Sequence, residues 1–414
     1  MRMFNIQIIC KISSNINKKE LEEKLVNKFP EVFSDKLGLY NKGSAKIELK
    51  DGAQPIFLKP YNLPFKLKEK LEKELDRLTE LKIVKPVKHS DYGTPIVPIP
   101  KENGTVRLAG NYKLTIDKQL KIDRYPIPKI DDLITMLGPS NYFTKLDLSR
   151  AYNQIELDEK SKSYLNITTH KGVYEYQSLL YGVSRGPGIF ECEMEKCFQG
   201  FEKVIVFLDD ILIAAKDIDE LMKRTEKVLE KLKECGLTIN KDKCKFFKEE
   251  IEFLGHKLNK DGLHMLDGKV EALIKAPKPE NVQQLSSFLG MVTYYHKFIP
   301  NAATVLKPLY KLLEKDSEWN WNNDCDNVFE KLKEILCEKP VLMQFDPDLP
   351  VKITCDASPY GISAVISHIL SNGDCKPIAY TSKTLTQALK NYSQIDKEAF
   401  ALYFGVKKNL SICL

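Results

Sequence analysis

Val204-Ile-Val-Phe-Leu-Asp209-Asp210-Ile-Leu-Ile213 sets two adjacent carboxylates between two apolar runs. Val204 to Leu208 and Ile211 to Ala214 are β-branched and apolar, the composition of buried strands. A tight hairpin joining them brings both carboxylates to its turn. Two carboxylates about 4 Å apart repel by about 4 kcal/mol at an effective dielectric near 20. Desolvation adds to that cost. Such a pair calls for a proton or a cation. With hard oxygen ligands and no neighbouring His or Cys, the cation is Mg²⁺ or Mn²⁺ rather than zinc. An Asp-Asp dipeptide is more often a plain polar turn, so the metal reading requires a third ligand elsewhere in the chain.

A chain of 414 residues, 43% hydrophobic and 29% charged, has the composition of a globular protein of two to four domains. It holds no apolar run long enough to span a bilayer. Phe4 to Ile12 is too short and too broken by Asn5, Gln7 and Lys11 for a signal peptide. The ten cysteines form no C-x-x-C pair, the pattern of reduced intracellular thiols. The net charge of +6 is modest, but Lys216 to Lys248 is rich in lysine. Charge alone leaves a solvated helix face and a nucleic-acid contact equally open.

Residues 1–17 lack periodicity and read as an unstructured leader. Leu67, Leu71, Leu75 and Leu78 recur at helical spacing through Phe65 to Leu81. Glu102-Asn103-Gly104 is a hairpin turn signal between Ile96–Pro100 and Thr105–Leu108. A strand is expected over Tyr142 to Leu148, and helices over Ser184 to Phe198 and Ile218 to Cys235, the latter closed by Gly236. Asn281 and Gln284 form a capping-box pattern for a helix running to Phe298. Phe329 to Leu336 reads as a short helix and Val351 to Asp356 as a strand. Ser358 to Gly361 reads as a turn leading into Ala364–Ile369, and Asn391 to Lys408 as a last helix.

The third carboxylate stands in Phe143-Thr-Lys-Leu-Asp147-Leu148, at the end of an apolar strand, with Tyr152 five residues on. Further blocks follow in order: Tyr125-Pro-Ile-Pro128, Tyr181-Gly182 with Pro187, Lys243-Cys-Lys-Phe246, Phe253-Leu-Gly-His256, Phe288-Leu-Gly290 with Tyr294-Tyr295, and Cys355-Asp-Ala-Ser-Pro-Tyr-Gly361. From about Leu21 to about Lys408 the chain resembles the Pol polyprotein of gypsy-class long-terminal-repeat retrotransposons, in its reverse transcriptase and RNase H-like segments. The resemblance implies an α+β, multidomain fold. Its parts are a right-hand polymerase of fingers and palm (18–265) and thumb (266–310), a connection segment (311–345) and an incomplete RNase H-like α/β domain (346–414).

It also implies roles. Asp147, Asp209 and Asp210 are the catalytic carboxylates and would hold two Mg²⁺ ions, with Mn²⁺ as a substitute. Lys101 and Arg107 would clamp the incoming triphosphate; from the residues alone they are two exposed basic groups on a hairpin. Tyr152 would be the steric gate under the sugar, although spacing alone favours a core aromatic. Tyr181 and Gly182 would line the nucleotide pocket. Phe253, Leu254, Gly255 and His256 would form the primer grip, and Lys297 on the thumb would contact duplex backbone. The implied partners are a primed RNA or DNA template and dNTPs, with no membrane. The implied location is the cytoplasm, in a virus-like particle if the element is active, or the nucleus. Oligomeric state stays open.

Several positions depart from the family pattern: Asn111 for Asp, Phe207 for Tyr, Leu180-Tyr181 for Pro-Phe, and Arg185-Gly186 before Pro187. Gly186 and Gly188 each weaken a helix start by about 1 kcal/mol if they lie within it. Asp356 and Glu398 match two RNase H carboxylates, and the family's other two would fall past Leu414, so RNase H activity is expected to be lost. The same gap would leave an apolar strand edge and one helix face uncovered. The leading expectation is an RNA-directed DNA polymerase. The rival is an inactive remnant that binds nucleic acid without chemistry.

Overall fold

The computed structural model describes residues 18–101, 104–121, 125–314 and 317–408. The leader at 1–17, Glu102 and Asn103 of the hairpin turn, and the tail at 409–414 lie outside the described residues. Two compact units divide the chain. One takes the chain up to Pro128 with Thr144–Ala214 and Ile218–Phe247; the other takes Lys129–Phe143, Ala215–Asp217 and the chain from Lys248 onward.

In the first unit, helix Phe65–Glu80 buries Leu71, Leu75 and Leu78 along one face, as the leucine spacing requires. A five-stranded sheet runs in the order Val84–Val87, Gly172–Tyr176, Asn166–Thr169, Thr94–Pro100, Val106–Gly110. Its last two strands form the expected hairpin, with Ile99 opposite Arg107. A four-stranded sheet takes the order Val204–Phe207, Asp210–Ala215, Tyr142–Asp147, Lys245–Lys248. Ile211 to Ala215 are fully buried at its centre, as a near-continuous apolar run must be. Helix Gly186–Phe198 packs on strand Val204–Phe207 and on helix Ile218–Cys235. Gly186 and Gly188 therefore do sit in a helical first turn, with Pro187 beside them. After Cys235 the chain passes through Gly236 at φ +75°, where an added Cβ would lie 2.2 Å from the Leu39 carbonyl oxygen. Only glycine meets both demands.

The second unit opens with a three-stranded meander, Glu250–Phe253, His256–Asn259 and Gly262–Met265. Helix Val282–Tyr294 is capped by Asn281, whose side-chain oxygen accepts from Gln284 N–H at 2.9 Å. The helix stops at Tyr294 and not at the expected Phe298, because the chain tightens into a 3₁₀ turn over His296–Phe298. The short helix expected over Phe329–Leu336 is longer, Asn323–Cys337, since the Asn322 side chain caps it three residues before the apolar stripe begins. A second three-stranded sheet, Val351–Ala357, Gly361–Ile369 and Cys375–Thr384, is wholly antiparallel. Helix Gln394–Lys408 lies across its first two strands. It begins at Gln394 rather than Asn391, where Ser393 Oγ accepts from Asp396 N–H. Among the described residues strand Val351–Ala357 has a neighbour on one side only. Ile395, Leu402 and Tyr403 of the helix are exposed, Ile395 to 81%. The uncovered edge and helix face foreseen from sequence are present. No described helix is long and apolar enough to cross a membrane.

Candidate active site

The Asp-Asp hairpin is as tight as its sequence suggested, but its turn sits one residue earlier. Phe207 pairs with Asp210, so the loop is Leu208-Asp209 and Asp210 already belongs to the second strand. Leu208 adopts φ +52°, a left-handed conformation that a leucine takes only when its surroundings impose it. The imposing group is Glu191 on helix Gly186–Phe198. Its Oε2 accepts from Leu208 N–H at 2.8 Å, while Oε1 is buried with no hydrogen-bond partner among the described residues. Burial raises the Glu191 carboxyl pKa.

Asp147 ends the neighbouring strand, and Leu148 N–H donates to the Asp209 carbonyl at 2.9 Å, tying the two aspartate-bearing segments together. Asn240 N–H in turn donates to the Asp147 carbonyl at 2.8 Å. Asp209 feels both of the other carboxylates, and Asp147 feels Asp210. Burial raises the pKa of Asp209, and Asp147 and Asp210 raise it further; burial and Asp210 do the same to Asp147. Yet among the described residues no three acidic, histidine or cysteine side chains converge as a ready-made metal-ligand group. Each carboxylate instead holds its own donor. Lys243 Nζ lies 3.3 Å from Asp147 Oδ1, Tyr181 donates to Asp209 Oδ2 at 2.9 Å, and Lys145 Nζ lies 2.7 Å from Asp210 Oδ2. Uncompensated acids take the nearest cation or hydroxyl.

A hard divalent cation fits this donor set. All three are carboxylates, and Asp209 Oδ1 is buried with no hydrogen-bond partner among the described residues. An unsatisfied buried carboxylate oxygen is costly unless something binds it.

Tyr181 links this centre to the finger-like hairpin. The Arg107 guanidinium lies 4.1 Å from the Tyr181 ring centroid and lowers the Asp209 pKa. Gly182 follows at φ +104°. Lys101 holds its hairpin through backbone hydrogen bonds to Thr105 and Gly104 and is exposed. Tyr152 is only 4% exposed, its ring 4.4 Å from Tyr181 and 5.0 Å from Phe190. It therefore packs as a core aromatic directly beside the Asp209 partner. Arg185 lines a cleft of about 730 Å³ with Lys46, Asp117, Lys121 and Tyr125.

In the second unit, Phe253 to His256 form a two-residue hairpin turn with Leu254 at φ +44° and Gly255 at φ +71°. His256 is 2% exposed, and burial and Lys297 lower its pKa to about 4. Lys297, expected to contact duplex backbone, is held in an ion pair. Its side chain is 15% exposed and pairs with Asp131 at 2.5 Å. Asp356 stands on strand Val351–Ala357 and Glu398 on helix Gln394–Lys408, where the Gln394 side chain donates to Glu398 at 2.8 Å. Within the lysine-rich segment Arg224 pairs with Glu220, Lys231 with Glu234 and Lys233 with Glu31. Those pairs are surface features of small energetic weight.

Sequence reasoning missed Glu191, Lys145 and Lys243 as neighbours of the carboxylates. Lys145 and Lys243 carried a signal, since each lies within a block of the family pattern. Glu191 carried none, because a glutamate on a helix is ordinarily exposed.

Two segments of the chain match known family models. Residues 99–258 match the family model described as reverse transcriptase (RNA-dependent DNA polymerase), and residues 321–413 match the RNase H-like domain found in reverse transcriptase. The chain is 29% identical over 429 residues to the retrovirus-related Pol polyprotein from transposon 412 of Drosophila melanogaster, covering 97% of this chain and 34% of that protein. It is 32% identical over 434 residues to the Pol polyprotein from transposon opus of the same fly, covering 97% of this chain and 43% of that one. Against the transposon Tf2-3 polyprotein of Schizosaccharomyces pombe it is 31% identical over 364 residues, 87% of this chain and 27% of the other. The chain thus spans between about a quarter and under half of these relatives. Among solved structures, foamy viral protease-reverse transcriptase dRH in complex with double-stranded DNA matches with a TM-score of 0.86 at 21% identity, covering 96% of this chain and 70% of that one. Foamy viral protease-reverse transcriptase in complex with an RNA/DNA hybrid matches with a TM-score of 0.83 at 21% identity, covering 96% and 54%. The right-hand polymerase fold with an RNase H-like domain is therefore that of this chain. It carries the reverse transcriptase and RNase H-like domains of a gypsy-type retrotransposon Pol polyprotein, the family to which it belongs.

Proposed function

We propose that this chain is an RNA-directed DNA polymerase that extends a primer on RNA or DNA with dNTPs by two-metal-ion nucleotidyl transfer. The observation that carries the reading is the Asp209 carboxylate, with Oδ1 buried and unpartnered among the described residues and Asp147 and Asp210 as electrostatic neighbours. Asp147, Asp209 and Asp210 would hold two Mg²⁺ ions, or Mn²⁺. When bound, such ions lower the pKa of a primer 3′-hydroxyl and neutralise charge on the triphosphate. In this reading Arg107, braced on the Tyr181 ring, and Lys101 bind the triphosphate. Tyr152 excludes a 2′-hydroxyl, Tyr181 and Gly182 shape the pocket, and Phe253–His256 hold the primer end. Fingers and palm take 18–265, the thumb 266–310, the connection 311–345 and the RNase H-like part 346–414. These 414 residues alone, with Asp356 and Glu398 as their two RNase H-type acids, are proposed not to cleave RNA.

Primer extension on an RNA template with Mg²⁺, beside Asp209→Asn, tests the reading. Incorporation by the unmodified chain should fall at least 10²-fold in the variant, the scale of losing one key electrostatic group. No incorporation, or equal incorporation by both, sinks it. A second reading, a remnant that grips duplex without chemistry, is favoured by Lys145 and Lys243 against the carboxylates. It predicts binding with no incorporation in the same assay.

A further inference from the structure

The Leu254-Gly255 turn does not hold itself. Both residues have positive φ, +44° and +71°. That suits a two-residue hairpin, but leucine is a poor occupant of the first position, where Asn or Asp is favoured. The turn's two carbonyls lie between its paired strands, and both are taken by tyrosines at and just past the end of helix Val282–Tyr294. Tyr294 O–H donates to the Leu254 carbonyl at 2.6 Å, and Tyr295 O–H donates to the Gly255 carbonyl at 3.0 Å. Leu254 also accepts from His256 Nδ1 at 2.8 Å, which fixes that nitrogen as the protonated one. The His256 ring stacks on Tyr294 at 5.2 Å and on Phe298 at 6.0 Å. An added Cβ at Gly255 would fall 2.5 Å from the Tyr294 hydroxyl, so the latch and the glycine require each other.

We propose that Tyr294 and Tyr295 are positioning residues for primer binding, their hydroxyls latching the Leu254-Gly255 turn in the shape that receives the primer end. The proposal rests on the reading of Phe253–His256 as the primer grip. A turn made from a disfavoured leucine and a glycine is set by whatever binds its carbonyls. Here those are Tyr294 at the end of helix Val282–Tyr294 and Tyr295 just past it, with His256 Nδ1 as a second donor to Leu254. The helix and the turn therefore move as one piece. Loss of the hydroxyls leaves the rings in place and frees the turn.

The test uses the full chain with Tyr294→Phe and Tyr295→Phe, singly and together. Three quantities are read: the Kd of a fluorescently labelled DNA-primed RNA duplex by anisotropy, the KM for dNTP, and the thermal midpoint. Each net hydrogen bond corresponds to about fivefold, so the double variant should weaken primer–template Kd by roughly tenfold or more with an unchanged KM for dNTP. Gly255→Val is the reference for the grip reading itself. If Gly255→Val weakens the duplex and the double Phe variant does not, the latch is overturned while the grip stands. If neither weakens it, the grip reading fails and the latch with it. A lowered thermal midpoint with unchanged Kd, or equal losses in Kd and KM, assigns the tyrosines a merely structural part and also overturns the proposal.

Discussion

Glu191 Oε2 accepts the backbone N–H of Leu208 at 2.8 Å, and so props from below the strained turn that carries Asp209. The glutamate is 1% exposed, and burial raises its pKa toward the neutral acid. A neutral amide can accept the same bond. Glu191→Gln should therefore keep primer extension within a few-fold of wild type. Glu191→Leu strands the Leu208 N–H in the interior, at about 1–3 kcal/mol. It should lower kcat by on the order of 10-fold or more as the turn relaxes. Steady-state extension with thermal melts checks both, and equal rates in the two variants would contradict the propping role.

Tyr181 donates to Asp209 Oδ2, an oxygen that a cation would otherwise claim. Tyr181→Phe removes the competitor and keeps the ring under the Arg107 guanidinium. A hydrogen bond to a charged group is worth about 1.5–3 kcal/mol, part of which is recovered by the metal. The expected result is tighter Mn²⁺ binding by titration calorimetry, by a factor of a few or more. Unchanged or weaker affinity would show that the hydroxyl does not compete.

Tyr152→Val should have two effects at once. The ring packs between Tyr181 and Phe190, so its loss opens a cavity costing on the order of 3 kcal/mol. If the ring also blocks a 2′-hydroxyl, ribonucleotide incorporation relative to deoxyribonucleotide should rise at least tenfold. Competition between rNTP and dNTP in primer extension reads the second effect, and a melt reads the first. Destabilisation with unchanged sugar selection would leave Tyr152 as core packing alone.

The palm-like strands were legible because fully buried strands need continuous apolar runs, and Ile211 to Ala215 is one. Helix ends were legible where a cap was written in the sequence, as at Asn281 and Gly236, and misjudged where it was not, as at Tyr294. Asp147, Asp209 and Asp210 announced themselves as charges in apolar strands. Their present partners did so less, for Lys145 and Lys243 stand in family blocks but nothing local pairs them with the carboxylates. Lys145, Lys243 and Glu191 reach the carboxylate segments through tertiary packing across strands and a helix, and no local periodicity encodes that. The Lys297–Asp131 pair was hidden for the same reason, since only the fold brings Asp131 to it.

Acid should loosen the second unit before general acid denaturation. His256 takes up a proton near pH 6.5 in the unfolded chain but only at about 4 when folded, because burial and then Lys297 oppose its charge, while the bond to the Leu254 carbonyl and then Asp131 pull the other way. Burial pushes His296 and His264 the same way. Between those two pH values the unfolded state binds more protons, so stability is full above about 6.5 and is lost as the pH falls toward 4. For His256 alone the loss is on the order of 3 kcal/mol. His256→Gln cannot titrate. Urea unfolding at pH 7.5, 6, 5 and 4.5 should therefore show the gap between wild type and variant narrowing as the pH drops. A gap constant with pH would mean that His256 is already charged in the folded protein, or that it is exposed to water.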